Sequence, residues 1–303
     1  MGPKLKILIT GPSGFIGQHV ISELSDQHQL IGITSSEYTD PALSQMFSWH
    51  DLTDLPEVDV CIHLAGLAHD MSGRHSDDDY VKINFELTRE LLQSLNGKCK
   101  KFIYLSSIKA VCEMGCRDLK ENAAYAPSSP YGLSKQMAEE YILENSEQLG
   151  LIPYVFRPVM IYGPGSKGNL NSLIRFIRTG TPYPFRSYQN EKSILYIKNL
   201  THCIRQFIEN DPDGGVYHVA DREKLSTKDI SKLIASAMNI RFRQWDAPSI
   251  LYRRFLRSKN GRISRMFQKL LGDLSVNTDK LNSVLTEELP YTSEEAFHSF
   301  LHK

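Results

Sequence analysis

The stretch Ile7-Leu8-Ile9-Thr10-Gly11-Pro12-Ser13-Gly14-Phe15-Ile16-Gly17 decides the fold. Ile7 to Thr10 is a short apolar run of the kind buried in a parallel sheet. It breaks into glycines at every third position, and apolar residues then recur at helical spacing through Ile16, Val20, Ile21 and Leu24. Strand, glycine turn and helix start, in that order, make a cradle for a dinucleotide pyrophosphate. Side chains at the glycine positions would block close backbone approach, and the first helical N–H groups are free to meet an anion. Gly11, Ser13, Gly14, Phe15, Ile16 and Gly17 are therefore candidate cofactor contacts.

Outward from this turn, strand-like and helix-like segments alternate. Leu30–Thr34, Val58–Ala65, Lys101–Ser106 and Pro153–Phe156 read as strands, while Tyr80–Leu95 and Pro130–Leu149 read as helices. Such alternation predicts an α/β protein with a Rossmann-type doubly wound parallel sheet. The texture changes after residue 163, and Asn171–Thr179 reads as a basic amphipathic helix. We expect a dinucleotide-binding domain over 1–163, with segments near 193–220 crossing back to it. Residues 164–303 are expected to form a smaller, mixed α/β substrate domain.

Tyr131-Gly132-Leu133-Ser134-Lys135 places a phenol and an ammonium four residues apart, on one helix face. A phenol is a poor base at neutral pH. A nearby ammonium, together with an oxidised nicotinamide, favours the phenolate, which could then take a proton from a sugar hydroxyl or return one to a ketone. Lys101 to Ser107 is a strand ending in hydroxyls, and ligands of doubly wound sheets sit at strand C-terminal ends. Ser107 is the candidate substrate-orienting hydroxyl, and Ser106 a cofactor or turn contact.

The glycine spacing, the Tyr131/Lys135 pair and Ser107 together resemble the extended short-chain dehydrogenase/reductase superfamily. That family includes NAD-dependent epimerases and dehydratases of nucleotide sugars. The run Ser106-Ser107-Ile108-Lys109 is similar to a subgroup acting on UDP-N-acetylhexosamines or their 4-keto-6-deoxy derivatives. The sequence continues Ala110-Val111-Cys112-Glu113 where that subgroup has Val-Asn-Gly-Glu. The resemblance implies Ser107, Tyr131 and Lys135 as catalytic residues, with Lys135 also holding the nicotinamide ribose. It implies cofactor contacts at Asp51 and Leu52 (adenine side), Leu64, Ala65, Gly66, Asn84 and Pro158. It implies substrate contacts at Ser107, Tyr131, His69, Asn169 and Lys192. The alternative for Asp51 is a helix N-cap, and His63, inside an apolar strand, reads as a core histidine. Thr34 stands where an acidic residue would hold the ribose of NAD, and no Arg lies nearby to clasp a 2′-phosphate. NAD and NADP both stay open, with a tilt toward NADP.

The dehydratase branch needs an adjacent Asp and Glu after the hydroxyl residue, and this chain has Ile108 and Lys109 there. The expected activity is thus 4-reduction of a UDP-4-keto-6-deoxy-N-acetylhexosamine in surface-polysaccharide sugar synthesis. The alternative is a 4-epimerase, on a UDP-sugar or a polyprenyl-diphosphate sugar. A third reading is a nucleotide-sensing regulator of the same fold, and such proteins usually lose the Tyr or the Lys.

The 303 residues carry 35 basic and 35 acidic side chains, which argues against nucleic acid as a partner. No apolar run is long enough to span a bilayer, and Ile7–Thr10 is too short for a signal-peptide core. A cytoplasmic homodimer is expected, the dimer by analogy. Five cysteines read as idle or buried thiols, with no metal site. The basic stretch from Arg253 to Lys269 is open to three readings: a cover over the diphosphate, a peripheral membrane contact, or a solvated helix face.

Overall fold

A computed structural model describes residues 3–67, 75–166, 168–247 and 270–302. In chain order it contains β1 (Lys6–Thr10), α1 (Phe15–Leu24), β2 (Gln29–Thr34), β3 (Leu43–Ser48) and β4 (Val58–His63). Next come α2 (Asp77–Val81), a π-helical turn (Lys82–Glu86), α3 (Leu87–Ser94), β5 (Cys99–Leu105), β6 (Cys116–Leu119) and α4 (Pro130–Asn145). They are followed by β7 (Ile152–Pro158), β8 (Met160–Tyr162), α5 (Asn169–Arg178), β9 (Ile194–Tyr196), α6 (Ile197–Asn210) and β10 (Gly215–Val219). The last elements are α7 (Thr227–Ala237), β11 (Leu274–Val276), α8 (Asp279–Val284) and α9 (Ser293–Leu301).

Seven strands form one parallel sheet in the order β10-β7-β5-β4-β1-β2-β3. Side chains alternate across a strand, and β1 divides accordingly. Ile7 and Ile9 join the layer made with Val20, Ile21 and Leu24 of α1 and Phe207 of α6. Leu8 joins the opposite layer, with Leu91 and Leu92 of α3 and Ala138 and Ile142 of α4. The chain order reverses between β1 and β4, so a crevice opens beyond their C-terminal ends, where such sheets bind ligands. After residue 193 the chain returns to this sheet, with α6 against α1 and β10 beside β7. Two short parallel pairs, β8 with β9 and β6 with β11, lie outside it.

Three expectations need correction. The predicted helix Tyr80–Leu95 is interrupted by the π-helical turn, which carries the buried Asn84; such turns cluster at functional sites. The long helix of Tyr131 ends at Asn145 rather than Leu149. Cys112 and Cys116, expected as thiols, form a disulfide, while Cys61, Cys99 and Cys203 are free and buried. Gly115, at φ +82°, turns the chain between the paired cysteines. Among the described residues no helix is long and apolar enough to cross a membrane, and no group of side chains could hold a metal ion.

Candidate active site

The glycine turn is closed by contacts that only glycine allows. Gly11 sits at φ +67°, and a Cβ on it would lie 3.0 Å from the Ala65 Cα across the crevice. A Cβ on Gly17 would overlap the Gly11 carbonyl and lie 2.7 Å from the Pro12 carbonyl. Ser13 and Gly14 are exposed, and Phe15 and Ile16 half-buried, at the start of α1. The first N–H groups of that helix have no intrahelical acceptor. This bare-backbone cradle at the switch point fits a dinucleotide pyrophosphate.

The strand end beside it is held by a relay of hydroxyls. Thr10 Oγ1 accepts from the Leu64 and Ala65 N–H groups at 3.1 and 3.0 Å. His63 lies between Thr10 Oγ1 (2.6 Å from Nδ1) and Thr88 Oγ1 (2.8 Å from Nε2). Thr88 gives its own proton to the Asn84 carbonyl at 2.7 Å. The Thr88 oxygen must therefore accept from His63 Nε2–H, and Nδ1 accepts from Thr10; this tautomer follows from the partners. Burial lowers the His63 pKa to about 3, with Lys135 adding to the effect. His63 is thus a neutral core residue.

Lys135 reaches the same crevice from α4. Its Nζ donates to the Leu105 carbonyl at 2.9 Å and stands over the Tyr104 ring at 4.7 Å. A Cβ on Gly66 would lie 3.4 Å from that Nζ and 2.8 Å from Asn84 Oδ1. Small residues after β4 therefore make room for the lysine as well as for a ligand. Burial pushes the Lys135 pKa down to about 8 against the opposing charge of Glu139. Asn84 is fully engaged: its Oδ1 accepts from Leu67 N–H at 2.7 Å, and its Nδ2 donates to the Leu67 carbonyl and to Ser134 Oγ. It braces the crevice wall from inside.

Tyr131 is half-buried at the first turn of α4, which starts with Pro130 and is capped by Ser129. Ser107, half-exposed just past the end of β5, is the neighbouring side chain that holds the Tyr131 pKa down. The Tyr80 ring meets it edge-on at 6.2 Å, and Lys109 Nζ lies 5.7 Å from its ring centre. Burial raises the Tyr131 pKa; Ser107 opposes this, while Tyr80 and Glu113 add to it. The sequence predicts that Lys135 and an oxidised nicotinamide together favour this phenolate; in the protein by itself the phenol's pKa is raised, and Lys135 is not among the groups that shift it. The ammonium is turned toward Leu105 and Tyr104, and burial is the largest influence on the phenol.

Ser106, expected as a cofactor or turn contact, points the other way. Its hydroxyl donates to Glu139, and its backbone N–H continues the sheet to Phe156. Thr34 ends β2, where its Oγ1 accepts from Ser36 N–H at 3.2 Å. The Asp51 carboxylate accepts from Ser48 N–H and Oγ, which lowers its pKa, and makes no side-chain cap on the turn beginning at Leu52. Leu64 packs on the core and Pro158 ends β7 beside β10. Lys192 is half-buried, its backbone paired with Leu225, and burial lowers its pKa to about 8. Asn169 begins α5. His69 and the stretch 253–269 lie outside the described residues. Sequence reading missed Glu139, Tyr125 and Tyr80. Glu139 was within reach, since it stands one helical turn beyond Lys135 on the same face.

A doubly wound sheet whose switch point joins a glycine turn to a Tyr–Lys helix defines an extended short-chain dehydrogenase/reductase. Residues 7–220 match the NAD dependent epimerase/dehydratase family, and the chain belongs to that family. It is 30% identical to the UDP-glucose 4-epimerase of Vibrio cholerae, covering 96% of this chain and 93% of that one. It is 25% identical to a UDP-2-acetamido-2,6-beta-L-arabino-hexul-4-ose reductase of Pseudomonas aeruginosa, over 78% of this chain and 59% of that one. The UDP-glucuronic acid 4-epimerase of Bacillus cereus, solved with NAD, shares the fold. Its TM-score is 0.77 at 18% identity, covering 98% of this chain and 95% of that one. The chain is an enzyme of the nucleotide-sugar epimerase and reductase type.

Proposed function

We propose that this enzyme interconverts UDP-sugars at C4, as a 4-epimerase that keeps NAD bound between turnovers. The observation that carries C4 chemistry is Tyr131, next to Ser107, on the same helix as a lysine packed against Gly66 and so against the glycine-turn crevice. The near-full-length likeness to a 4-epimerase favours epimerisation. When bound, the nicotinamide supplies the site for the hydride. The chain's residues do the rest. The glycine turn and the first N–H groups of α1 hold the pyrophosphate, and Thr34, Asp51 and Leu52 line the adenosine end. Lys135 holds the nicotinamide ribose. Ser107 orients the reacting C4 oxygen, and Tyr131 accepts the C4 hydroxyl proton and later returns it. Burial, with Tyr80 and Glu113 adding to it, disfavours the phenolate, and the charge of an oxidised cofactor would favour it.

A second reading is 4-reduction of a 4-keto-6-deoxy UDP-N-acetylhexosamine with NADPH. It is favoured by the hydroxyls of Thr34 and Ser36, without a carboxylate, at the end of β2. Product analysis with UDP-glucose and UDP-N-acetylglucosamine, with no nicotinamide added, separates the two. C4 epimers are the expected products. Consumption of NADPH with the 4-keto sugar, and no epimer without it, would replace the epimerase by the reductase. Tyr131→Phe should lower kcat by about 10²- to 10⁴-fold while the cofactor stays bound. A variant of wild-type kcat removes Tyr131 from the proton transfer.

A further inference from the structure

We propose that Glu139 is a positioning residue for this site, one carboxylate that sets Ser107, Lys135 and the end of β7 relative to one another; the inference rests on the C4 reading above. Glu139 is fully buried on α4, two turns beyond Tyr131 and one beyond Lys135. Arg157 grips it with Nε at 2.9 Å and Nη2 at 2.7 Å from Oε2. Tyr125 donates to the same oxygen at 2.9 Å, and Ser106 donates to Oε1. Two of these partners are immediate chain neighbours of site residues: Ser106 precedes Ser107, and Arg157 precedes Pro158. The carboxylate thus ties the ends of β5 and β7 to the helix that carries Tyr131 and Lys135.

The arrangement is more than a structural staple. A buried ion pair adds little net stability compared with an apolar replacement, while one left half-made is strongly destabilising. What this one adds is a negative charge one turn behind a buried lysine, where it opposes the loss of the Lys135 proton. The charged and titratable groups facing Glu139 are Arg157 from β7, Tyr125 from the segment before α4, Tyr104 from β5 and Lys135 from its own helix. Arg157 also donates to the Glu121 carbonyl at 3.1 Å and stands over the Tyr125 ring at 4.9 Å. These two contacts hold the guanidinium from groups other than Glu139.

The test uses Glu139→Gln in the full-length protein. Expected are a kcat about tenfold lower, a nearly unchanged KM for the sugar nucleotide, and an alkaline limb of the pH–rate profile moved to lower pH. Glu139→Asp, which keeps the charge, should restore that limb. A readout independent of turnover is the NMR titration of ¹³Cε-labelled lysine, with the Lys135 signal assigned through Lys135→Arg. Its midpoint should fall by about one pH unit in Glu139→Gln. A folded Gln variant with wild-type kcat, alkaline limb and Lys135 titration overturns the proposal. If the Gln variant does not fold, Ser106→Ala releases only the β5 end and should lower kcat about tenfold at unchanged KM; wild-type kcat there also overturns it. Should the wild-type protein turn over no UDP-sugar, the C4 reading fails, and the Lys135 titration still decides the role of Glu139.

Discussion

His63 shows how much a single side chain carries in this protein. It is enclosed between two threonines, with Phe102 and Tyr104 as neighbouring rings, and it links the strand before the glycine turn to the π-helical turn of Asn84. A second proton would have to sit on Nδ1, where Thr10 now donates. The folded pKa of about 3 lies below the ordinary value of 6.5. Between those values the unfolded chain binds the proton and the folded one does not, so stability is lost as pH falls below about 6.5. From pH 7 to pH 5 the loss is about 2 kcal/mol for this one residue. Asp221 works in the opposite sense. Burial raises its pKa to about 7, so its contribution grows as pH falls through that value. The wild-type slope mixes these effects with those of His218, His202 and His28, whose pKa values burial also lowers, and the comparison that isolates His63 is urea unfolding of wild type and His63→Gln at pH 7 and pH 5. The variant should be less stable overall and lose less on acidification. Equal losses in the two proteins would show that His63 is not the acid-sensitive group.

At the scale of elements, the glycine turn is the part that tolerates least. The atoms a Gly17 Cβ would meet are the Gly11 carbonyl and the Pro12 carbonyl and Cα, all of them backbone of the turn itself. Relief would require moving the cradle. Gly17→Ala should therefore cost about 1–3 kcal/mol and lose bound nicotinamide dinucleotide on gel filtration. Gly97→Ala is the contrast, at φ +68° with nothing within 4 Å of its Cβ position; it should cost stability and leave the cofactor in place. Retention of cofactor by Gly17→Ala would show that the turn can shift after all. This turn was legible because its requirement is local: spacing and flanking apolar residues alone specify it. Strands β1, β2, β4, β5 and β7 were legible for the same reason, through apolar runs, whereas β3, with Ser44 and Gln45 exposed, has no such run. The π-helical turn was not. Its extra residue leaves the apolar positions of Tyr80–Leu95 looking like one continuous helix, and what stabilises it is the long-range bonding of Asn84 to Leu67 and Ser134. The direction of Ser106 was hidden in the same way. Two adjacent serines at a strand end face opposite sides, and only the buried Glu139 decides which of them is turned away from the crevice. Nor could spacing show how deeply Tyr131 and Lys135 sit, and that depth sets both pKa values.

For the molecule as a whole, the decisive feature is that the late part of the chain is woven into the early sheet. β10 extends the sheet beyond β7, and α6 covers α1. The late segments are in turn held at Asp221. That carboxylate accepts from Tyr196 N–H, from Asn199 Nδ2 at 2.7 Å and from Tyr162 OH at 3.2 Å, and Asn199 exchanges two hydrogen bonds with the Tyr291 backbone. Phe297 of α9 closes the cluster. It is fully buried, with its ring stacked on Tyr162 at 4.8 Å and 18°. Tyr162 leads directly into the Gly163–Gly165 loop, and there the Pro164 carbonyl accepts from His19 Nε2 of α1 at 3.1 Å. A defect at the carboxy-terminal helix is thus only a few contacts from the glycine turn. Phe297→Ala removes a buried aromatic ring and should cost about 3–5 kcal/mol, lowering Tm by about 6–20 °C at roughly 2–4 °C per kcal/mol. Because strands from both halves share one sheet, the loss should appear as a single displaced transition in calorimetry, with far-UV and near-UV signals melting together. A variant that melts in two steps, the later one at the wild-type temperature, would mean that the sheet with its glycine turn stands without the carboxy-terminal helix.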